Sequence, residues 1–110
     1  MQMSSETTGS DTVVTITGRI DAVTAPDLET RLFELIDGGA TQLILAFSPM
    51  EYISSAGLRV VLSAAKKLKT VNGGICLAGL QGTVREVFEI SGFFAIFKVF
   101  ETVDEARGQV

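Results

Sequence analysis

The sequence predicts an α/β fold: a small, mixed, mostly parallel β-sheet of four to five strands flanked by about four helices. Three observations predict it. Short apolar or β-branched runs occur at 12–18, 41–47, 75–79 and 95–100. Segments with a 3.6-residue apolar period lie between them. Turn or stop signals stand at most of the changes. Strands that alternate with helices imply crossover connections, and crossovers imply parallel neighbours.

Residues 1–8 are polar and read as a frayed end or an edge strand. "GSD" at 9–11 is a turn signal. "TVVTITG" at 12–18 is β-branched and reads as a strand. A tight turn joins these first two strands, so that pair is expected to be antiparallel. "VTAPDLETRLFELIDGG" reads as a helix with both ends marked. Thr24 is the expected N-cap, with Asp27 three residues on, and Pro26 sits in the first turn, where a missing N–H costs nothing. Leu28, Leu32, Leu35 and Ile36 form its apolar stripe, and Gly38 and Gly39 supply a left-handed stop.

"TQLILAF" at 41–47 is almost continuously apolar, as a strand covered on both faces is. A loop containing Pro49 is expected next. From Ser55 to about Val71 the period is helical, with Leu58, Val61, Leu62, Ala65 and Leu68 on one side and Arg59, Ser63, Lys66 and Lys67 on the other. "NGG" ends this helix and "ICLAG" at 75–79 is a further buried strand. Thr83 and Glu86 suggest a capping box for "VREVFEI", which Gly92 closes. "AIFKVF" is a last short strand, and Thr102 with Glu105 caps a brief final helix. Phe88, Phe93, Phe94, Phe97 and Phe100 read as core and C-terminal packing. The order is β, β, α, β, α, β, α, β, α in one domain spanning 1–110.

Composition removes several function classes. The chain has 110 residues, of which 46% are apolar, enough for a core without disulfides or metal. Its net charge of −4 argues against a nucleic-acid binder and against attraction to an anionic membrane. Cys76 is the single cysteine and falls in a buried run, so an inert thiol is expected. No signal-peptide pattern and no membrane-length apolar run is present, so the expected location is the cytoplasm. No "GxxxxGK" or "GxGxxG" offers a phosphate cradle. The run 43–47 leads into Ser48 without the aspartate of a phospho-accepting receiver. There is no histidine, so a serine hydrolase lacks its base. A Ser–Lys pair would have to span at least three helical turns, from Ser55 to Lys66, Lys67 or Lys69. No enzyme activity, cofactor or metal site is expected.

"EYISSAGLRV" at 51–60 then remains to be explained. One of its serines can cap the following helix, a contribution of ~1 kcal/mol. That leaves Gly57 inside the first turn, where it costs ~1 kcal/mol relative to Ala. The close approach of another backbone would account for it. The same helix start, with free N–H groups and the positive end of the dipole, is also suited to a phosphate. A phosphate on Ser55 would add a charge of about −2, and Arg59 lies four residues on, along the same face. Such a site is a switch: unmodified, it offers small residues and Leu58 to a partner, and modified, it offers a charge that a desolvated interface rejects.

"GRID" before the first helix, "YISSAGL" at the second and "VREVFEISGF" at the third, in this order and spacing, resemble a STAS domain. The likeness is greatest to bacterial anti-sigma factor antagonists and covers about residues 10–105. The resemblance implies a STAS-like fold and a regulated binding module. It implies as partners an anti-sigma factor with a histidine-kinase-like ATPase fold that is also a serine kinase, and a PP2C-type phosphatase. It makes Ser55 the phospho-acceptor, and Asp21, Ser54, Ser55, Ala56, Gly57, Leu58 and Arg59 the partner-binding set. Asp21 matches a family acidic position; it reads equally as a turn-capping aspartate. Two positions depart from the pattern. Ser54 stands where phosphorylated members carry Asp, and Arg59 where many carry a small residue. The alternative these departures favour is a STAS interaction or ligand-sensing module that is not phosphorylated. Lys66, Lys67 and Lys69 read as a solvated face, or as a surface for an acidic partner.

Overall fold

One long strand organises the sheet. In the computed structural model, which describes residues 1–47 and 50–109, β2 (Asp11–Ile20) has three partners. Strand β1 (Gln2–Thr8) pairs with it antiparallel along its length through the turn at 9–10. On its other side β2 is shared. Residues 11–15 pair in parallel with β3 (Gln42–Ala46), and residues 18–20 pair in parallel with β4 (Met50–Ile53). The register shifts between Gly18 and Arg19, where one partner gives way to the other. Strands β5 (Gly74–Ala78) and β6 (Lys98–Phe100) continue the sheet in parallel, giving the order β1-β2-β3-β5-β6 with β4 attached to β2.

The helices are α1 (Ala25–Asp37), α2 (Ser55–Lys69), α3 (Gly82–Ile90) and the single turn α4 (Val103–Ala106). Alternate residues of the central strands point to opposite faces, and both faces are covered. Val14, Ile16, Leu43, Leu45 and Leu77 pack with the buried stripes of α1, α2 and α3 in the larger core. Val13, Ile44, Ala46, Cys76 and Ala78 form a smaller cluster with Ala106 of α4. The apolar runs are continuous for this reason: neither face meets water. Burial pushes the Cys76 thiol up to about 11, with the charge of Asp11 adding to the effect, so it is protonated and unreactive at neutral pH. No described helix is long and apolar enough to cross a membrane.

Several local expectations need correction. The sheet has six strands rather than four to five, because residues 50–53 form β4. Ser48 and Pro49, in the expected loop, lie outside the described residues. Helix α2 is rotated from its expected face: Val60 and Ala64 are buried, whereas Leu62 and Ala65 are only half-buried. Packing against α1 draws that side inward. Lys67 points the same way, bonding Asp37 at 3.0 Å and lying 5.0 Å from the ring of Phe33. Thr24 precedes α1 but its side chain does not cap it. Gly39, with φ +110°, takes the left-handed position, while Gly38 remains right-handed. Helix α3 begins at Gly82 behind Gln81, which places Thr83 inside its first turn, and no side-chain cap forms. The Thr102–Glu105 capping box does form. Strand β6 begins only at Lys98 because residues 93–95 make a 3₁₀ turn. Phe47, Phe88, Phe93 and Phe97 stack in sequence with centroids 5.2–5.3 Å apart.

Candidate functional site

Two chain segments leave the sheet side by side. Ile20 ends β2 and Ile53 ends β4 in parallel register. The Ser54 N–H donates to the Ile20 carbonyl at 2.8 Å. Beyond Ile20 the chain makes the turn 21–24, and beyond Ser54 it enters α2. The topology thus brings Asp21 beside the start of α2, although Ser54 is 33 positions further along the sequence.

The turn is built on Asp21. Its carboxylate accepts from the N–H groups of Val23 at 2.9 Å and Thr24 at 3.0 Å. The Thr24 hydroxyl accepts in return from the Asp21 N–H at 2.9 Å. The N–H of Thr24, followed by that of Val23, holds the Asp21 carboxyl below its ordinary range. Asp21 therefore caps this turn and is a fixed negative charge at the edge of the site. Val23 is carried outward and is 85% exposed. "DAVT", an Asp followed three residues later by Thr, was the sequence signal for this turn.

The start of α2 is held differently. Ser54 has extended backbone, and its Oγ accepts from the Gly57 N–H at 3.4 Å, a long bond. Ser55 is the first helical residue and is exposed. Gly57 is buried. A Cβ there would lie 2.6 Å from Ile20 Cγ2 and 2.7 Å from Ile53 Cγ1. The residue is glycine because two isoleucine side chains, rather than another backbone, press on it. Leu58 is 8% exposed and joins the core, so it is not an apolar surface offered to a partner. Of the seven residues expected to meet a partner, Ser55 and Arg59 are exposed. Asp21, Ser54 and Ala56 are half-buried, and Gly57 and Leu58 form the underside.

Arg59 overlooks a surface groove of about 420 Å³ between Ala22, Pro26 and Glu29 on one wall and Ala56, Arg59 and Ser63 on the other. Among the described residues Arg59 makes no ion pair, and the first turn of α2 carries no acidic residue. Nearby, the guanidinium of Arg19 lies 4.5 Å from the centroid of the Tyr52 ring. Helix α2 is continuous from Ser55 to Lys69, so Lys66 lies roughly 16 Å along the axis from Ser55. That distance excludes a direct Ser–Lys pair. Among the described residues no group of three His, Cys, Asp or Glu side chains is placed to hold a metal ion.

The STAS domain family model matches residues 2–106. The chain belongs to the STAS domain family. BtrV of Bordetella bronchiseptica, provisionally named an anti-sigma factor antagonist, is 43% identical over 94 residues, covering 86% of this chain and 81% of that one. The anti-sigma-B factor antagonist of Bacillus subtilis is 31% identical over 90 residues, covering 82% of each. Among solved structures, the unphosphorylated form of the anti-sigma factor antagonist SpoIIAA superposes with a TM-score of 0.82 at 26% identity, covering 96% of this chain and 92% of that one. The phosphorylated form of SpoIIAA, a Bacillus cell fate determinant, superposes with a TM-score of 0.75, again at 26% identity, covering 96% of each chain.

Proposed function

We propose that this STAS domain is an anti-sigma factor antagonist that acts in the cytoplasm by partner switching and has no catalytic activity of its own. In the unmodified state the start of α2 and the Asp21 turn bind a cognate anti-sigma factor that is also a serine kinase. Phosphorylation of Ser55 ends that binding, and a PP2C-type phosphatase restores it. The observation that carries this reading is the division of labour between the two serines. Ser54 is occupied as the helix cap, whereas Ser55 is exposed at the first position of a helix whose first turn holds no acid. A phosphate on Ser55 would meet the positive end of the helix dipole and have Arg59 one turn further on. The same phosphate would put new negative charge beside the ionised Asp21 and change what the surface accepts.

The names of the relatives support the antagonist role, and the solved phosphorylated SpoIIAA supports a phosphorylated form on this fold. A second reading, a STAS interaction module without phosphorylation, is favoured by one feature: a neutral hydroxyl with a 3.4 Å bond caps α2 where phosphorylated members carry Asp. Incubation with the cognate kinase and ATP, followed by mass-spectrometric site mapping, separates the two. Phosphate on Ser55, absent from the Ser55→Ala variant, is expected. Full phosphorylation of Ser55→Ala, or none of the parent chain, selects against the switch.

A further inference from the structure

The other half of α2 borders a second groove, and we propose that it binds a single-chain amphiphile with an anionic head, a medium-chain fatty carboxylate. Leu62 and Ala65 of α2, Ile75 of β5, and Ile96 and Phe97 beyond the 3₁₀ turn form its apolar walls. Its volume of about 350 Å³ is within the range of small-molecule sites, roughly 300–1,000 Å³. Leu62 and Ala65 lie outside the buried side of the rotated helix and are half-open, and Ile96 is 63% exposed. Lys66 and Lys69 stand on the rim, three residues apart and thus on the same side of the helix. Both are exposed, and among the described residues neither makes an ion pair, while Lys67 between them is held by Asp37.

Two unpartnered cations beside an uncovered apolar wall, on a chain whose net charge is −4, select an anion attached to a tail. The size of the groove selects one aliphatic tail. A docked protein would need about 800 Å² of matching surface on each partner. The groove lies at the far end of α2 from Ser55, so the assignment does not depend on phosphorylation there.

Isothermal titration of the whole chain with dodecanoate, below its micelle concentration, tests this. One saturable site is expected. Dodecanol, with the same tail and no charge, is expected to bind at least tenfold more weakly, and decanoate, two buried methylenes shorter, about fifteenfold more weakly. The Lys66→Glu, Lys69→Glu double variant should lose at least tenfold, and Ile96→Glu a similar factor. Each changes exposed side chains only, and circular dichroism should find both folded. Absence of saturation overturns the assignment, as do variants that bind like the parent. Sedimentation with phosphatidylglycerol vesicles in the absence of dodecanoate binding also overturns it, in favour of a membrane surface.

Discussion

The turn 21–24 and the helix start 54–58 leave the sheet at the same end, one hydrogen bond apart, yet different physics holds each in place. The turn is a polar device. Three bonds of 2.9–3.0 Å between Asp21, Val23 and Thr24 define it, and an ionised carboxylate stands at its centre. The helix start is a packing device. Its one capping bond is long, and its position is set by Ile20 and Ile53 closing on Gly57. The surface to which the proposed function assigns modification and recognition thus rests on a core contact beneath it. The turn beside it can be altered with less effect on the rest of the fold. Substitutions on the two segments should therefore differ in size and in their response to pH.

Gly57→Val is expected to have the largest effect. Alanine at this helical position would ordinarily gain ~1 kcal/mol over glycine. Here a Cβ lies 2.6 Å from Ile20 Cγ2, and a β-branched residue adds two more atoms to a full site. Overpacking of this kind costs about 3 kcal/mol, which lowers the Tm on the order of 10–20 °C. A calorimetric melt within a few degrees of the parent would refute the claim that packing holds this segment.

Ser55→Glu comes next, and separates stability from recognition. An acid at the first helical position interacts favourably with the dipole, by roughly 0.3–1 kcal/mol. The Tm should hold or rise slightly. Affinity for the anti-sigma factor should fall at least tenfold, about 1.4 kcal/mol, because the interface would have to desolvate the charge. Loss of affinity together with loss of Tm would point to misfolding, and unchanged affinity would remove charge as the basis of the switch.

Much of this architecture is legible in the sequence. The crossovers follow from alternating periods, and the antiparallel first pair follows from the turn at 9–11. Strand β4 is not legible, because four residues with one exposed acid are too short to show a period. The rotation of α2 is not legible either: apolar residues adjoin one another at 60–62 and 64–65, so the period does not fix the face, and contact with α1 decides which are buried. The sequence marks Gly57 as costly and so as constrained. Its neighbours, one from β2 and one from β4, depend on a strand pairing made across more than thirty residues. That one of the two serines caps α2 was legible, since capping is a local rule, but that it is Ser54, with Ser55 exposed, depends on the pairing of Ser54 with Ile20 across the sheet end. The burial of Leu58 followed from its place in the apolar stripe, which outweighs the part it would play on a partner surface.

Asp21→Asn tests the polar half of the comparison. The amide oxygen can still accept from Val23 and Thr24, so the Tm at pH 7 should fall by less than for Gly57→Val. The folded carboxyl titrates below the ordinary value of 3.8. Its stabilising contribution is therefore fully present above about pH 4, and is lost as the pH falls from that value through the lower folded one. The gap in Tm between parent and Asp21→Asn should accordingly close as the pH falls through this window. A gap that stays constant down to acid pH would show that the carboxylate charge does not hold the turn.

The smallest effect is expected from Ser54→Asp, which sharpens the contrast instead of breaking it. The parent cap uses a neutral hydroxyl at 3.4 Å, near the limit of a hydrogen bond. A carboxylate in the same extended residue reaches further and is charged, and both properties strengthen a bond to an N–H at the positive end of a helix. The expected gain is about 0.5 kcal/mol, read as a small rise in the midpoint of chemical denaturation with unchanged slope. If the helix start is held by packing, this is all that a better cap can add, because Gly57, Ile20 and Ile53 already fix the backbone. A gain well above 1 kcal/mol would mean that the cap limits the stability of this segment, and that the two neighbouring segments are less different than their contacts make them.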